Sequence, residues 1–166
     1  MTAPVVIFAC GNPSRGDDAL GPVLLERLQD WLAAKGMADG FELIVDFQLQ
    51  IEHALDLAGR RLALFIDAGS VTPAPFVFRE AVAQLATTHS THALPPESVL
   101  AVLPRIGEEM PPPAFVLCVR GERFELGEGL SDAAQAHADA AFEWLRHLCY
   151  DPEVDAWKAR MYNPNE

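Results

Sequence analysis

The sequence predicts an α/β protein with three layers, α/β/α, around a mostly parallel twisted sheet of about five strands. Short apolar runs, typical of strands buried on both faces, alternate with helical stripes along the chain. The length of 166 residues, half of them hydrophobic, is sufficient for one sizeable core. Since no repeat or linker divides the chain, we expect a single domain over residues 1–150 and a polar C-terminal tail over residues 151–166.

The first β-α unit covers the N-terminal part of the chain. Pro4–Cys10 is a continuous apolar run and is predicted to be a buried strand. The glycine-rich turn GNPSRGDDALG follows it. From Leu20 the apolar residues recur at helical spacing, and Lys35 and Gly36 supply a basic last turn and a stop.

Two more strands and a short helix are predicted next. Phe41–Asp46 is the second strand, Ile51–Ala58 a short helix, and Leu62–Asp67 the third strand, which is apolar until it stops at its aspartate. Alternating strands and helices imply parallel pairing. The segment FVFRE follows two prolines and is predicted to be an extra strand at an edge, with its direction left open.

The C-terminal part contains the remaining elements. A helix is predicted to begin near Pro95, and Ala114–Val119 is the last strong strand. The turn-rich segment GERFELGEGLSDA is expected to be a loop or a small hairpin, and Ser131 to cap a long alanine-rich helix. Three large residues of the tail are candidates to dock on the domain: Trp157, Met161 and Tyr162.

Charge and cysteine content exclude several classes of function. The formal net charge of −12 repels nucleic acid and anionic membrane surfaces. No apolar stretch approaches the roughly 20 residues that span a bilayer. Cys10, Cys118 and Cys149 are widely spaced in apolar surroundings, so we expect reduced core residues. These observations predict a cytoplasmic protein with neither nucleic acid nor membrane as a partner.

Carboxylates follow two of the predicted strands. Asp17 and Asp18 come after the first strand and Asp67 ends the third, so all three are expected at the same sheet edge. Asp17 has a simple structural interpretation as the N-cap or first-turn acid of the helix near Ala19. Asp18 and Asp67 lack one, and a carboxylate at the end of a buried strand needs hydrogen-bond donors or a metal.

Two histidines, His89 and His92, lie in the loop after the fourth strand segment. Two carboxylates and one imidazole form a ligand set suited to a divalent ion such as zinc or nickel. Histidines in such polar loops are more often solvated, and HSTH is no metal signature by itself. The chain contains no GxGxxG, Walker or GxSxG motif, so the glycines of the first turn are interpreted as turn formers.

The stretch VIFACGNPSRGDDALGPVLLERL resembles the hydrogenase maturation endopeptidases, which trim the large subunit of nickel-iron hydrogenases. The resemblance continues through DFQLQIEHALDLAGRRLALFIDAG and the histidine loop, over about residues 4–149. It implies that Asp18, Asp67 and His92 bind metal. His92 is matched in preference to His89 because its distance to the following apolar helix fits better.

This resemblance also implies a substrate and a reaction. Nickel already inserted into the large-subunit precursor would be recognised, and a short C-terminal peptide would then be removed. The enzyme would carry no metal of its own, although an ion such as Ni, Zn or Cd could occupy the site in isolation. The metal could lower the pKa of a bound water or polarise the scissile carbonyl, with an acidic side chain taking the proton. A monomer is expected.

The segment after the second strand departs from many relatives, which have a glycine-rich stretch there. The sequence DFQLQIEHA is similar to the subgroup that serves soluble, NAD-coupled hydrogenases. Five residues are therefore candidates for substrate specificity, with simple packing of the two apolar ones as the alternative: Asp46, Phe47, Gln48, Leu49 and Gln50.

Two other functions compete with the peptidase. A phosphoacceptor receiver domain also has an acidic pair after its first strand, but it needs a lysine after the last core strand. The chain has only Lys35 and Lys158, neither of them there. A non-catalytic nickel-binding or scaffold protein of hydrogenase assembly, using the same three ligands, stays open.

Overall fold

The computed structural model describes residues 2–85, 94–107 and 109–166. Five strands form one sheet in the order β2-β1-β3-β5-β4. Their bounds are Val5–Cys10 (β1), Phe41–Asp46 (β2), Leu62–Gly69 (β3), Phe76–Ala81 (β4) and Ala114–Arg120 (β5). The first, second, third and fifth strands are mutually parallel, and β4 pairs antiparallel with β5 at the sheet edge. The predicted three-layer α/β fold is confirmed.

The described residues also form four α-helices and three short 3₁₀ helices, of which the last two α-helices follow β5. The α-helices are Leu20–Ala34 (α1), Pro96–Ile106 (α2), Asp132–Tyr150 (α3) and Val154–Ala159 (α4). The 3₁₀ helices cover Gly16–Ala19, Ala38–Gly40 and Ile51–Leu57. The structure describes no helix that is both long and apolar enough to cross a membrane.

The direction of β4 follows from its short connection. Only residues 70–75 separate the end of β3 from the start of β4. A parallel return would need a crossover of a dozen or more residues, so the chain turns back from the same edge of the sheet at which β3 ends. This geometry decides the question that the sequence left open.

The two faces of the sheet are covered differently. The first face carries α1 and α3, which bury a core of leucines, alanines and aromatic rings. The second face carries α2 and the 3₁₀ helix Ile51–Leu57, with a smaller core around Phe8 and Phe65, whose rings stack with centroids 4.9 Å apart. Because α2 is only eleven residues long, the second face is the more thinly covered.

The C-terminal segment, expected as a polar tail, packs on the first face. Trp157 is fully buried and its indole N–H donates to the carbonyl of Leu148 at 2.9 Å. The backbone of Tyr162 exchanges two hydrogen bonds with Phe78 of β4 (2.8 and 2.9 Å). The segment thereby covers part of the edge strand, which would otherwise leave those backbone groups unpaired.

Candidate functional site

Acidic and thiol side chains alternate along one row at the carboxyl ends of the strands. Asp46 of β2 stands opposite Cys10 of β1, and Asp67 of β3 stands opposite Cys118 of β5. The pairing of β1 with β3 reaches Ala9 and Ile66, so Cys10 and Asp67 are the next residues of those strands. Neighbouring strands lie about 4.8 Å apart. The row therefore brings two carboxylates and two thiols to one end of the second face.

Asp18 is held at the same end by the turn that leaves β1. Gly11 has a φ of +145°, and a Cβ there would stand 1.9 Å from the carbonyl oxygen of Asp18. Only glycine permits so close an approach of the two backbones. The backbone N–H of Asn12 donates to Oδ2 of Asp18 at 2.7 Å, which fixes the half-buried carboxylate over the end of β1. Asp18 and Asp67, predicted from sequence, thus share one edge.

Asp67 has an unusual protonation equilibrium. Loss of hydration among the crowded strand ends raises its pKa from 3.8 to about 6, and the negative charge of Asp18 raises it further, while a hydrogen bond from the N–H of Ala68 (2.8 Å) acts in the opposite direction. Asp67 as a whole is solvent-exposed, so water screens part of this effect. A carboxylate that is costly to ionise gains most when a cation arrives.

The pKa of the Cys10 thiol reflects the negative charge at this edge. Burial raises the pKa of its thiol to about 12, and the charges of Asp67, Asp46 and Asp18 raise it as well. Such a thiol remains protonated at neutral pH and is a poor nucleophile. The prediction that Cys10 is a core residue is confirmed, and Cys149 is likewise buried, whereas Cys118 is half-buried.

A buried imidazole adjoins Asp46 and was missed from sequence. The N–H of Gln50 donates to Nδ1 of His53 at 2.8 Å, which assigns the ring proton to Nε2. That atom faces Oδ2 of Asp46 at 3.5 Å. The Gln50 side chain in turn accepts from the backbone N–H of His53, forming a capping box at the start of the 3₁₀ helix. The spacing QxxH before a helix was the available signal.

The candidate specificity segment, residues 46–50, is held in place by Asp46 and Leu49, whereas Phe47 and Gln48 between them are exposed to solvent. Oδ1 of Asp46 accepts from the N–H of Phe47 at 2.7 Å, and Leu49 is buried in the second core. Phe47 is 65% exposed, so it does not pack as the alternative interpretation required. Gln48 and Gln50 are exposed as well. The packing alternative holds for Leu49 alone.

Asp17 is not an N-cap, which corrects one half of the expectation; it does lie in the first turn of a helix, the 3₁₀ helix Gly16–Ala19, but its carboxylate is bound elsewhere. It is fully buried, and its carboxylate accepts four hydrogen bonds from residues more than a hundred positions away. The donors are the N–H groups of Glu122, Arg123 and Ser131 and the hydroxyl of Ser131, at 2.7 to 2.9 Å. Burial tends to raise its pKa, but these bonds outweigh burial and lower it.

We call this cluster the Asp17 network: Asp17, Glu122, Arg123 and Ser131. It joins the first turn to the loop between β5 and α3. The Ser131 hydroxyl also accepts from the N–H of Ala134 (3.1 Å), as predicted for the N-cap of α3. The loop itself is not a hairpin in the described residues, where a single bridge joins Arg15 to Leu126.

The third predicted ligand lies outside the described residues. His92, and His89 with it, fall within residues 86–93. Within the described ranges, no group of three His, Cys, Asp or Glu side chains is arranged to hold a metal ion. The described part of the candidate site therefore consists of Asp18 and Asp67, with Asp46 and its histidine beside them.

A cleft of about 280 Å³ opens beside Asp67. It lies on the second face, between the strand ends, the β3-β4 connection and the start of α2. Its lining is mainly apolar and includes residues of the strand-end row. The principal ones are Cys10, Leu49, Asp67, Val77, Pro96 and Cys118.

No protein-family model and no curated protein sequence matches this chain. Several solved structures match it in fold. The NiFe hydrogenase maturation protease HycI from Thermococcus kodakarensis is 22% identical, with a TM-score of 0.68 over 90% of this chain and 94% of that one.

Two further structures give the same result. The hydrogenase maturating endopeptidase HybD from Escherichia coli is 21% identical, with a TM-score of 0.63 over 85% of this chain and 88% of that one. The hydrogenase 2 maturation peptidase from Thaumarchaeota archaeon SCGC_AB-539-E09 is 19% identical, with a TM-score of 0.56 over 85% and 94%. The five-stranded α/β fold of this protein is therefore the fold of the hydrogenase maturation proteases.

Proposed function

We propose that the protein is an endopeptidase that removes the C-terminal extension of a nickel-iron hydrogenase large-subunit precursor after nickel insertion. Two carboxylates at one sheet edge support this function most directly: Asp18, fixed by the N–H of Asn12, and Asp67, whose pKa is raised to about 6. The likeness of the fold to maturation proteases, at 22% identity or less, adds support. The substrate-borne nickel is the element that these carboxylates recognise.

The electrostatics of the edge suit an incoming cation. Asp18, Asp46 and Asp67 together raise the pKa of the thiol between them, so their charges act on one small volume. A divalent ion brought by the precursor relieves this repulsion on binding. A protein without such an ion would derive no benefit from crowding carboxylates at the end of a buried sheet.

In the proposed reaction, the nickel of the precursor and the side chains of the protease have different roles. Asp18, Asp67 and His92 contact the nickel from the side of the protease and hold the scissile peptide beside it. The nickel either lowers the pKa of a bound water or polarises the scissile carbonyl, and an acidic side chain of the edge takes the proton. The protease contributes positioning and needs no metal of its own.

The specificity segment is proposed to select the precursor of a soluble, NAD-coupled hydrogenase. Its exposed residues, Phe47 above all, stand beside the carboxylates and are held there by Asp46 and the buried Leu49. An exposed aromatic ring on an anchored loop is a suitable contact for a protein partner. This segment restricts the protein to one precursor. The protein itself is proposed to act in the cytoplasm as a monomer.

An intact-mass measurement tests this function. The purified protein is incubated with nickel-loaded and nickel-free precursors of an NAD-coupled hydrogenase, and with the precursor of another nickel-iron hydrogenase. Shortening of the nickel-loaded, NAD-coupled precursor alone is expected. Stable binding without any loss of mass would instead assign the scaffold role, and cleavage irrespective of nickel would reject recognition of the metal.

A further inference from the structure

We propose that the cleft beside Asp67 is a specificity pocket that accepts one apolar side chain of the precursor, next to the bond that is cut. This pocket deepens the proposed peptidase function and depends on it. The occupant is a side chain of the C-terminal segment of the precursor, in extended conformation across the strand ends.

The position of the cleft supports this occupant. Asp67 contributes both to the carboxylate edge and to the cleft wall. Cys118 and Val77 continue the same row, since Asp67 pairs with Cys118 and Cys118 pairs with Val77. A peptide whose metal site meets the carboxylates must therefore run past the opening of the cleft within one or two residues, at about 3.3 Å per residue.

The chemistry of the lining selects an apolar group. Thr72 Oγ1 lies 3.0 Å from Sγ of Cys118, and the guanidinium of Arg79 donates to Oε1 of Glu97 at 2.6 Å. Apart from Asp67, whose carboxylate belongs to the metal-recognising edge, these polar side chains of the wall are thus already engaged. A polar side chain that entered would lose its hydration without gaining a ready partner, which is costly.

The size of the cleft is sufficient for one large apolar side chain. Pockets for whole small-molecule ligands measure about 300–1,000 Å³ and bury most of the ligand. At about 280 Å³, with an opening to solvent, this cleft is smaller than that range. A leucine, methionine or phenylalanine side chain would fit in a cleft of this volume.

The cleft is also continuous with the specificity segment. Leu49 is the buried residue of that segment, and its side chain forms part of the cleft wall. The segment therefore contributes to recognition in two ways, by exposed contacts at Phe47 and by shaping the pocket at Leu49. This explains physically why a change of this segment would alter which precursor is cut.

A filling substitution tests the pocket. Val77→Phe adds an aromatic ring to the wall at a half-buried position, and Val82→Phe makes the same change at a 68% exposed position just beyond β4. The cut position is first read from the mass of the peptide that the wild-type protein releases. Nickel-loaded precursors are then made with Leu, Ala or Ser on each side of that bond.

The wild-type protein is expected to prefer Leu over Ser at one of the two positions by about tenfold or more in kcat/KM. Val77→Phe should reduce the preference for the Leu precursor over the Ala precursor by at least about tenfold, a change in ratio that a loss of folded protein would not produce. Val82→Phe should match the wild type. Val77→Ala should improve cleavage of a precursor with Phe at that position.

The outcomes separate the two proposals. If the wild-type protein cuts all three precursors equally, or if Val77→Phe keeps the wild-type preference for the Leu precursor over the Ala precursor, the pocket assignment is wrong while the peptidase function stands. If the wild-type protein cuts no nickel-loaded precursor, the peptidase function fails and the pocket falls with it. If Val77→Phe does not fold, the response of Val77→Ala to the Phe precursor decides in the same way.

Discussion

The two faces of the sheet differ in what their helices leave uncovered. On the first face α1 and α3 form a continuous layer, and Trp157 of the C-terminal segment completes the core. On the second face, among the residues that the structure describes, the short α2 and a 3₁₀ helix leave the strand ends open, and the row from Asp46 to Cys118 ends in a cleft. The first face therefore holds the larger core, and the second holds the edge that we propose to bind the precursor.

The two adjacent aspartates of the first turn, Asp17 and Asp18, differ in the same way as the two faces: one is buried and the other lies at the open edge. Asp17 turns inward and accepts four hydrogen bonds that tie the turn to the cap of α3. Asp18 turns to the open edge and accepts one. Identical side chains, one position apart, therefore have different surroundings, and substitutions at Asp17, Asp18 and Asp67 test whether support of the fold and the proposed recognition are separate.

Asp17→Ala has the largest expected effect. It removes the buried carboxylate that accepts from three N–H groups and one hydroxyl, so we expect a loss of about 3 kcal/mol in the free energy of unfolding, measured by urea denaturation at pH 7. Because the pKa of Asp17 is lowered in the folded state, this contribution exists above pH 4 or so and disappears as the pH falls through the folded-state pKa.

The control for this change is Asp30→Ala, at an exposed position of α1. It should change the free energy of unfolding by less than about 0.5 kcal/mol. An Asp17→Ala protein as stable as this control would mean that the Asp17 network does not support the fold.

Asp18→Asn comes next, and it acts on the reaction. The amide oxygen can still accept the N–H of Asn12, so we expect a stability loss below about 1 kcal/mol. Removing the negative charge should lower kcat/KM for the nickel-loaded precursor by about a hundredfold or more. Normal processing by Asp18→Asn, with Asp30→Asn alongside, would remove Asp18 from the candidate site.

Asp67→Asn is expected to change stability in the opposite direction, by much less than Asp17→Ala. The folded protein holds the Asp67 proton up to a pH of about 6, because its pKa is raised from the ordinary 3.8. The folded state therefore binds more protons than the unfolded state between these values, and the wild type loses stability as the pH rises through them.

We accordingly expect Asp67→Asn, without metal, to be more stable than the wild type by on the order of 1 kcal/mol at pH 7, since water screens part of the effect. The two proteins should be equally stable near pH 3.5. Denaturation curves at several pH values measure this difference, and a gap that did not grow with pH would contradict the raised pKa.

Most of the fold could be predicted from sequence, because buried strands leave a local signal. The apolar runs ending at Cys10, Asp46 and Asp67 placed β1 to within one residue, β2 at its observed bounds, and β3 to within two residues. The direction of β4 was left open, although the short connection after β3 already argues against a parallel return. The sequence does not indicate that β4 pairs with β5, because that pairing joins segments far apart along the chain.

The site was less accessible to sequence reasoning. Asp18 and Asp67 could be located because each follows a strand at the same sheet edge. The role of Asp17 could not, since its partners lie more than a hundred residues further along the chain. Likewise Cys118 and Val77 become neighbours of Asp67 only through strand register, and His53 meets Asp46 only after the 3₁₀ helix folds back.

The Asp17 network has a consequence for local opening. The Asp17 carboxylate links the turn that carries Asp18 to the first turn of α3 by hydrogen bonds. We therefore expect that neither turn opens while the other keeps these bonds. The amide protons of Arg123 and Ser131 should then exchange with solvent in a single cooperative event. The turn that positions Asp18 is thereby tied to the first turn of α3, the longest helix in the described residues, although it lies at the surface.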